Sequence, residues 1–198
     1  MNEYVVGTKL VGHWRRLSEH RLKGFGPKQW NKVHGALQAI GFYFQREVRE
    51  RVHRGEYAEN HPFTILMKSV HSKGSEVPLI DTAQMINSVK NYKYGSYHDP
   101  VLFVGIPKSA THSTSLFTQG GIKSTYQLAK LMEHGMTIHV TPKMRRFLAA
   151  NGLRLKSDTK VLHIPKRPFI SSVAKDPAFT AWVNKTFKTS MEEIWYTE

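Results

Sequence analysis

The chain has no cysteine. Disulfide stapling, cysteine metal sites and thiol nucleophiles are therefore excluded. It also lacks any apolar run approaching the roughly 18 residues of a membrane span. Its opening residues, Met1-Asn2-Glu3-Tyr4, show neither the basic start nor the apolar core of a secretory signal. These absences set the expectation of a protein made in the cytoplasm without a membrane partner. There is no glycine-rich Walker loop, no Gly-x-Ser-x-Gly elbow and no His-Glu-x-x-His. Eleven histidines scatter along the chain, and Glu133, His134 and His139 are the local acid/His group weighed as a metal site. Neighbours at a helix end point apart, so no metal site is expected there. Catalytic, cofactor and metal residues are all read as none, and enzyme function is not expected.

Negative charge is scarce too. Fifteen Asp and Glu face 29 Lys and Arg, leaving a formal +14 and a pI near 10.0. That balance points to a polyanionic neighbour, either nucleic acid or an acidic protein surface. The cations lie in short clusters rather than in one basic tail. This pattern argues for a subunit whose assembled surface faces DNA or acidic partners, more than for a dedicated sequence reader.

What the sequence does contain is a globular core. Its 198 residues, 40% of them hydrophobic, suit a single domain. Residues 1–26 read as an N-terminal strand and short helix, 27–170 as the core, and 171–198 as a C-terminal helical extension. Residues 4–11 have the β-branched content of an edge strand, and Trp14, Leu17 and Arg21 follow at helical spacing. Gly24 to Pro27 breaks the chain. From Pro27 to about Arg54, Trp30, Val33, Leu37, Ile40, Phe44, Val48 and Val52 recur at three- and four-residue steps. They define one long amphipathic helix ending at Gly55. Gly35 and Gly41 on this helix are candidate points of close backbone approach.

Residues 56–76 read as a polar connector around Phe63 to Met67. Tyr92-Lys93-Tyr94 and Val101 to Gly105 read as a hairpin turning at Asp99-Pro100. Residues 106–122 form a long Ser/Thr/Gly loop. Ser124 opens a helix stopped by Gly135, and Met136 to Thr141 alternates as a strand. Thr141-Pro142 opens another helix, closed by Asn151-Gly152, and Thr159 to Ile164 is the next strand. Lys166 to Ile170 turns apolar side chains back to the core. A last helix after Asp176-Pro177 aligns Phe179, Trp182, Val183, Phe187 and Met191.

One stretch, Val77 to Val89, changes character within a few residues. Pro78 keeps Val77 extended. Asp81 is placed to cap a short helix, and Gln84, three residues on, completes a capping box. Asp81 and Thr82 then mark a sharp corner between two apolar segments.

Several stretches together resemble the phage virion morphogenesis family, the tail-completion or neck proteins of Mu-like contractile-tailed phages. The first is Pro78-Leu79-Ile80-Asp81-Thr82-Ala83-Gln84-Met85, similar to the family's Pro-Leu-Ile-Asp-Thr-Gly-Gln-Leu. The second is Leu128-Ala129 to Glu133-His134-Gly135. The third runs from Val140 to Leu148. The fourth is Ile164-Pro165-Lys166-Arg167-Pro168-Phe169-Ile170, similar to Ile-Pro-x-Arg-Pro-Phe-Leu. The set covers residues from about 5 to 170. Ala83 departs from the family's usual glycine and reads as an ordinary helical residue.

The resemblance implies an α+β subunit in which a long amphipathic helix packs on a mostly antiparallel sheet with additional short helices. It implies a structural virion protein that forms a ring with copies of itself, commonly a hexamer, at the head–tail junction. Its partners there would be neighbouring neck, connector and tail proteins. Asp81, Thr82, Gln84, Pro165, Arg167, Pro168 and Phe169 would be its structural motif residues. Arg46, Arg49, Arg54, Lys143, Arg145 and Arg146 are candidates for facing packaged DNA or an interface. A tail-terminator or head-closure subunit is the near alternative. A free-standing, non-specific nucleic-acid-binding module is the other. Trp14, Trp30, Tyr92 and Tyr94 could stack on bases in that reading, although most fall at core-facing positions.

Overall fold

The computed structural model describes residues 6–10, 25–71, 76–80, 83–110 and 124–195. Asp81, Thr82, the short helix expected around Trp14 and most of the loop expected at 106–122 lie outside these residues.

Helix α1 (Pro27–His53) starts with Pro at its first position after an extended Gly26, where the missing N–H is not needed. All seven residues of the apolar stripe are buried, with Ile40, Phe44, Val48 and Val52 fully enclosed. The stripe lies on a three-stranded antiparallel sheet of order β1-β3-β2, built from β1 (Val6–Leu10), β2 (Lys90–Ser96) and β3 (Asp99–Ile106). Leu102, Val104 and Ile106 of β3 join the α1 core. Gly41 is where helix and sheet come closest: a Cβ there would stand 3.0 Å from Leu102 Cδ1 and 3.1 Å from Asn91 Cβ. Gly35 has no such neighbour, so its close-approach reading does not hold. Beside Gly41, Gln45 Nε2 donates to Val89 O (2.6 Å) and Asn91 Nδ2 donates to Gln45 Oε1 (2.5 Å).

The hairpin turns at Tyr97-His98, two residues earlier than expected, and Asp99-Pro100 belongs to β3. Its tip is tied to the start of α1. Tyr97 Oη donates to Pro27 O (3.2 Å) and Asn31 Oδ1 (3.1 Å), while Trp30 packs on His98. On the opposite sheet face Tyr92 packs on Phe103, and Tyr92 and Tyr94 are exposed. Of the four aromatics expected mostly at core-facing positions, these two tyrosines are sent away from α1 by the alternation along β2, whereas Trp30 is buried.

Residues 62–71 are a helix, α2 (Pro62–His71), not an irregular connector. Pro62 supplies a preset first helical residue, and the His61 carbonyl accepts from Thr64 N and Ile65 N. Helix α3 (Gln84–Asn87) is a single turn. Gln84 is its first residue, and Ala83 precedes it in the left-handed conformation at φ 59°, with no side-chain cap. The capping-box geometry that put Gln84 at the third position is thus corrected. So is the reading of Ala83 as helical.

Helix α4 (Thr125–His134) ends at Gly135 and leads into a ribbon of β4 (Met136–His139) and β5 (Val161–Ile164), paired antiparallel. Between them lies α5 (Pro142–Ala150), capped by Thr141, whose Oγ1 accepts from Met144 N (3.2 Å). Leu148 is the only buried side chain of α5. A one-turn α6 (Ser171–Ala174) and α7 (Pro177–Trp195) complete the chain. The segment expected as an extension packs along α1, with Tyr43 stacked on Trp182 (4.1 Å) and Phe44 edge-on to Phe179 (5.1 Å). The architecture is α+β: one long helix, shorter helices and two small antiparallel sheets.

Candidate functional site: a buried polar node and two basic surfaces

Two stretches that carry the family resemblance meet where α4 ends. Gly135 holds φ 70°, and a Cβ on it would come within 2.8 Å of Ile164 O. Only glycine allows both the left-handed turn and the contact. Two residues before this glycine, the Glu133 carboxylate is buried. Its Oε2 accepts from Ile170 N (3.1 Å) and its Oε1 from Ser171 N (2.8 Å), closing the exposed amides at the start of α6. Arg167 N donates to Met132 O (2.8 Å). The Arg167 side chain turns the other way, into the exit loop of α1. Its Nε donates to Ala58 O (2.8 Å) and its Nη2 to Glu59 O (3.0 Å) and Asn60 Oδ1 (3.4 Å). Burial pulls this guanidinium below its ordinary value. Three neutral oxygens meet Nε and Nη2 and the Met132 sulfur meets Nη1 (3.8 Å), and that makes burial of the charge tolerable.

Beside the node, Tyr57 Oη lies 3.4 Å from Ser172 Oγ, and burial pushes the phenol above its ordinary value. Arg51 pairs with Asp176, joining α1 to the residue before α7. The Arg51 hydrogen bond, with a further one from Ala178 N, holds the Asp176 carboxyl below the usual carboxylate range.

This arrangement offers three chain segments a common anchor. Both oxygens of Glu133 accept from main-chain amides. His139 sits exposed on the ribbon rather than beside it. Among the described residues no group of three His, Asp or Glu is placed to hold a metal ion. No described helix is long and apolar enough to cross a membrane.

Of the structural motif residues, Arg167 and Phe169 are buried, with Phe169 fully enclosed in the core, whereas Pro165 and Pro168 are exposed at the turn. Gln84 is half-buried at the start of α3; Asp81 and Thr82 lie outside the described residues. The basic candidates divide into two surfaces. On α1, Arg46 stacks over Tyr43 (4.9 Å) and pairs with Glu50 (3.6 Å). Arg54 pairs with Glu50 (3.8 Å) and Glu56 (2.5 Å), and Arg49 is half-buried. On α5, Lys143 and Arg146 are exposed.

Arg145 is different. It donates to the carbonyls of Leu155 (3.3 Å), Lys156 (2.6 Å), Ser157 (3.5 Å) and Thr159 (2.7 Å). Its donors are turned to the loop after α5, so its reading as a DNA-facing side chain is corrected to a structural one. The sequence offered no signal for Tyr57, Ser172 or the Arg51–Asp176 pair, whose partners are more than a hundred residues apart. Glu133 was visible within its motif, but its role as a cap was not.

Comparisons of the chain with family models, with characterised proteins and with solved structures find no match. The resemblance rests on the ordered short motifs.

Proposed function

We propose that the chain is a structural subunit of a contractile-tailed phage virion, forming a homo-oligomeric ring, a hexamer, at the head–tail junction. The observation that carries the reading is the convergence of its motifs. Glu133 to Gly135 and Ile164 to Ile170, far apart in sequence, build one polar node whose donors and acceptors serve the backbone. Residues held together for shape rather than chemistry suit a subunit of an assembly. Tyr92 and Tyr94, exposed on the outer sheet face, suit contact with a neighbouring copy. Position along the junction distinguishes a tail-completion role from a tail-terminator or head-closure one.

Electron cryomicroscopy of particles carrying this chain tests the proposal. The expected result is a ring of copies between connector and tail, probed also by native mass spectrometry of the purified protein at high concentration. A purified particle without the chain would overturn the reading.

A further inference from the structure

Charge is unevenly compensated over the fold. From Pro27 to Asn60 there are six Lys and Arg against four Glu. There Arg46, Arg51 and Arg54 are paired with carboxylates, and Lys32 reaches Glu193. From Gly135 to Ile170 there are eight Lys and Arg against Asp158 alone. Eight less one is +7, half of the chain's formal +14 in 36 of its 198 residues. Two of the eight are structural: Arg145 holds the loop and Arg167 the node. The other six, Lys143, Arg146, Arg154, Lys156, Lys160 and Lys166, are all exposed. None forms an ion pair among the described residues.

Four of these, Lys143, Arg146, Lys156 and Lys160, are drawn together by the fold. Lys143, Arg146 and Phe147 occupy the exposed face of α5 at the spacing of one helical turn. Arg145, on the inward side, gathers the carbonyls of residues 155–157 and 159 and so brings the loop with Lys156 and Lys160 to the same helix. Val140 N donates to Lys160 O (2.8 Å), fixing the loop's end against the start of α5.

We infer that the β4–α5–β5 lobe binds the phosphate backbone of nucleic acid without reading its sequence. Four of the six cations are lysines, point charges on flexible stems that suit phosphates and are depleted at protein interfaces. Phe147 is the lobe's only large hydrophobic side chain recorded as exposed, so the apolar centre typical of a protein interface is missing. Interfaces to nucleic acid are by contrast polar and strongly positive. The α1 surface, where Arg46, Arg51 and Arg54 are already paired, is not part of this site. The inference is independent of the ring proposal: failure to find a ring leaves it standing, and failure to bind DNA leaves the ring standing.

The test is fluorescence anisotropy of a labelled 30-base-pair duplex of arbitrary sequence, titrated with the full chain over a range of salt. Binding is expected to fall steeply with salt and to ignore sequence. The double variant K143A/R146A removes two exposed side chains. Its log–log salt slope should be shallower by about 1.8, at about 0.9 per phosphate contact. Extrapolated from 1 M, that slope change is about a 60-fold weaker affinity at 0.1 M salt.

The paired variant R46A/R54A on α1 should bind within about twofold of the parent. R145K keeps the charge but loses the carbonyl clasp, and should weaken binding while leaving the α1 core intact by circular dichroism. Three results would overturn the inference. They are no binding at low salt, equal losses in the α5 and α1 variants, and displacement of DNA by polyglutamate at matched charge, which would make an acidic protein the partner. An unchanged R145K would refute the clasp as the organiser of the site.

Discussion

Replacing Ala83 with glycine should make the protein more stable, and the sign of that change decides between two readings of one residue. Ala83 stands at φ 59°, immediately before α3. An L-residue with a Cβ holds the left-handed region at a cost of about 1–2 kcal/mol, which glycine does not bear. Glycine gives back about 0.5–1 kcal/mol through the greater freedom of its unfolded chain. The net gain is about 0.5–1 kcal/mol, and glycine's preference over alanine at a helix N-cap acts in the same direction. For a domain of this size each kcal/mol moves Tm by about 2–4 °C, so Ala83→Gly should melt about 1–4 °C higher.

Urea unfolding should give the same gain as a higher midpoint with unchanged slope. If Ala83 were an interior helical residue, as its sequence context reads, glycine would instead remove about 1 kcal/mol. A lowered midpoint would therefore refute the left-handed assignment. Leu79, also at positive φ (66°), makes the contrast. Its side chain packs against the core, so Leu79→Gly should destabilise despite relieving the same backbone strain.

Glu133→Gln keeps the size but leaves one acceptor oxygen for two amides and turns an NH2 donor toward the other; it should cost about 1–2 kcal/mol in urea unfolding. Arg167→Lys should be destabilising rather than conservative, because one ammonium cannot span the Ala58, Glu59 and Asn60 oxygens that the fork reaches. An unchanged midpoint would contradict that geometry. Asp176 has a depressed folded value, so its contribution is present above the ordinary carboxyl value near 3.8 and is lost as pH falls through the folded one. Asp176→Asn should accordingly melt lower than the parent at neutral pH, with the gap closing in acid below about pH 4; a gap of constant size from pH 2 to 7 would argue against the Arg51 pair.

The long helix was legible because seven apolar residues repeat at its period and every one of them is buried. Pro27, Gly55, Thr141, Gly135 and Gly152 marked element ends correctly, since each acts through its own backbone or side chain. What failed depended on partners elsewhere in the chain. Asp81 and Gln84 have the spacing of a capping box, but α3 starts later, in a region where Lys68 Nζ reaches across to the carbonyls of Val77 and Ile80. The segment 62–71 is short and mixed, and it forms a helix where composition suggested only a connector. Arginines looked alike in the sequence. In the fold Arg54 is compensated by Glu50 and Glu56, Arg145 is turned inward to four carbonyls, and Arg146 is left open.

The ribbon and α5 enclose one buried side chain, Leu148, whereas α1 and the three-stranded sheet share a continuous apolar interior. Opening free energy follows buried contact, so the two regions belong to separate cooperative units. Amides of residues 136–164 will exchange with solvent through a low-energy opening that leaves α1 protected. Loop residues 155–159, held to α5 by the Arg145 guanidinium, will open with that unit. The molecule can then reshape or order its most basic surface without disturbing the frame that carries it.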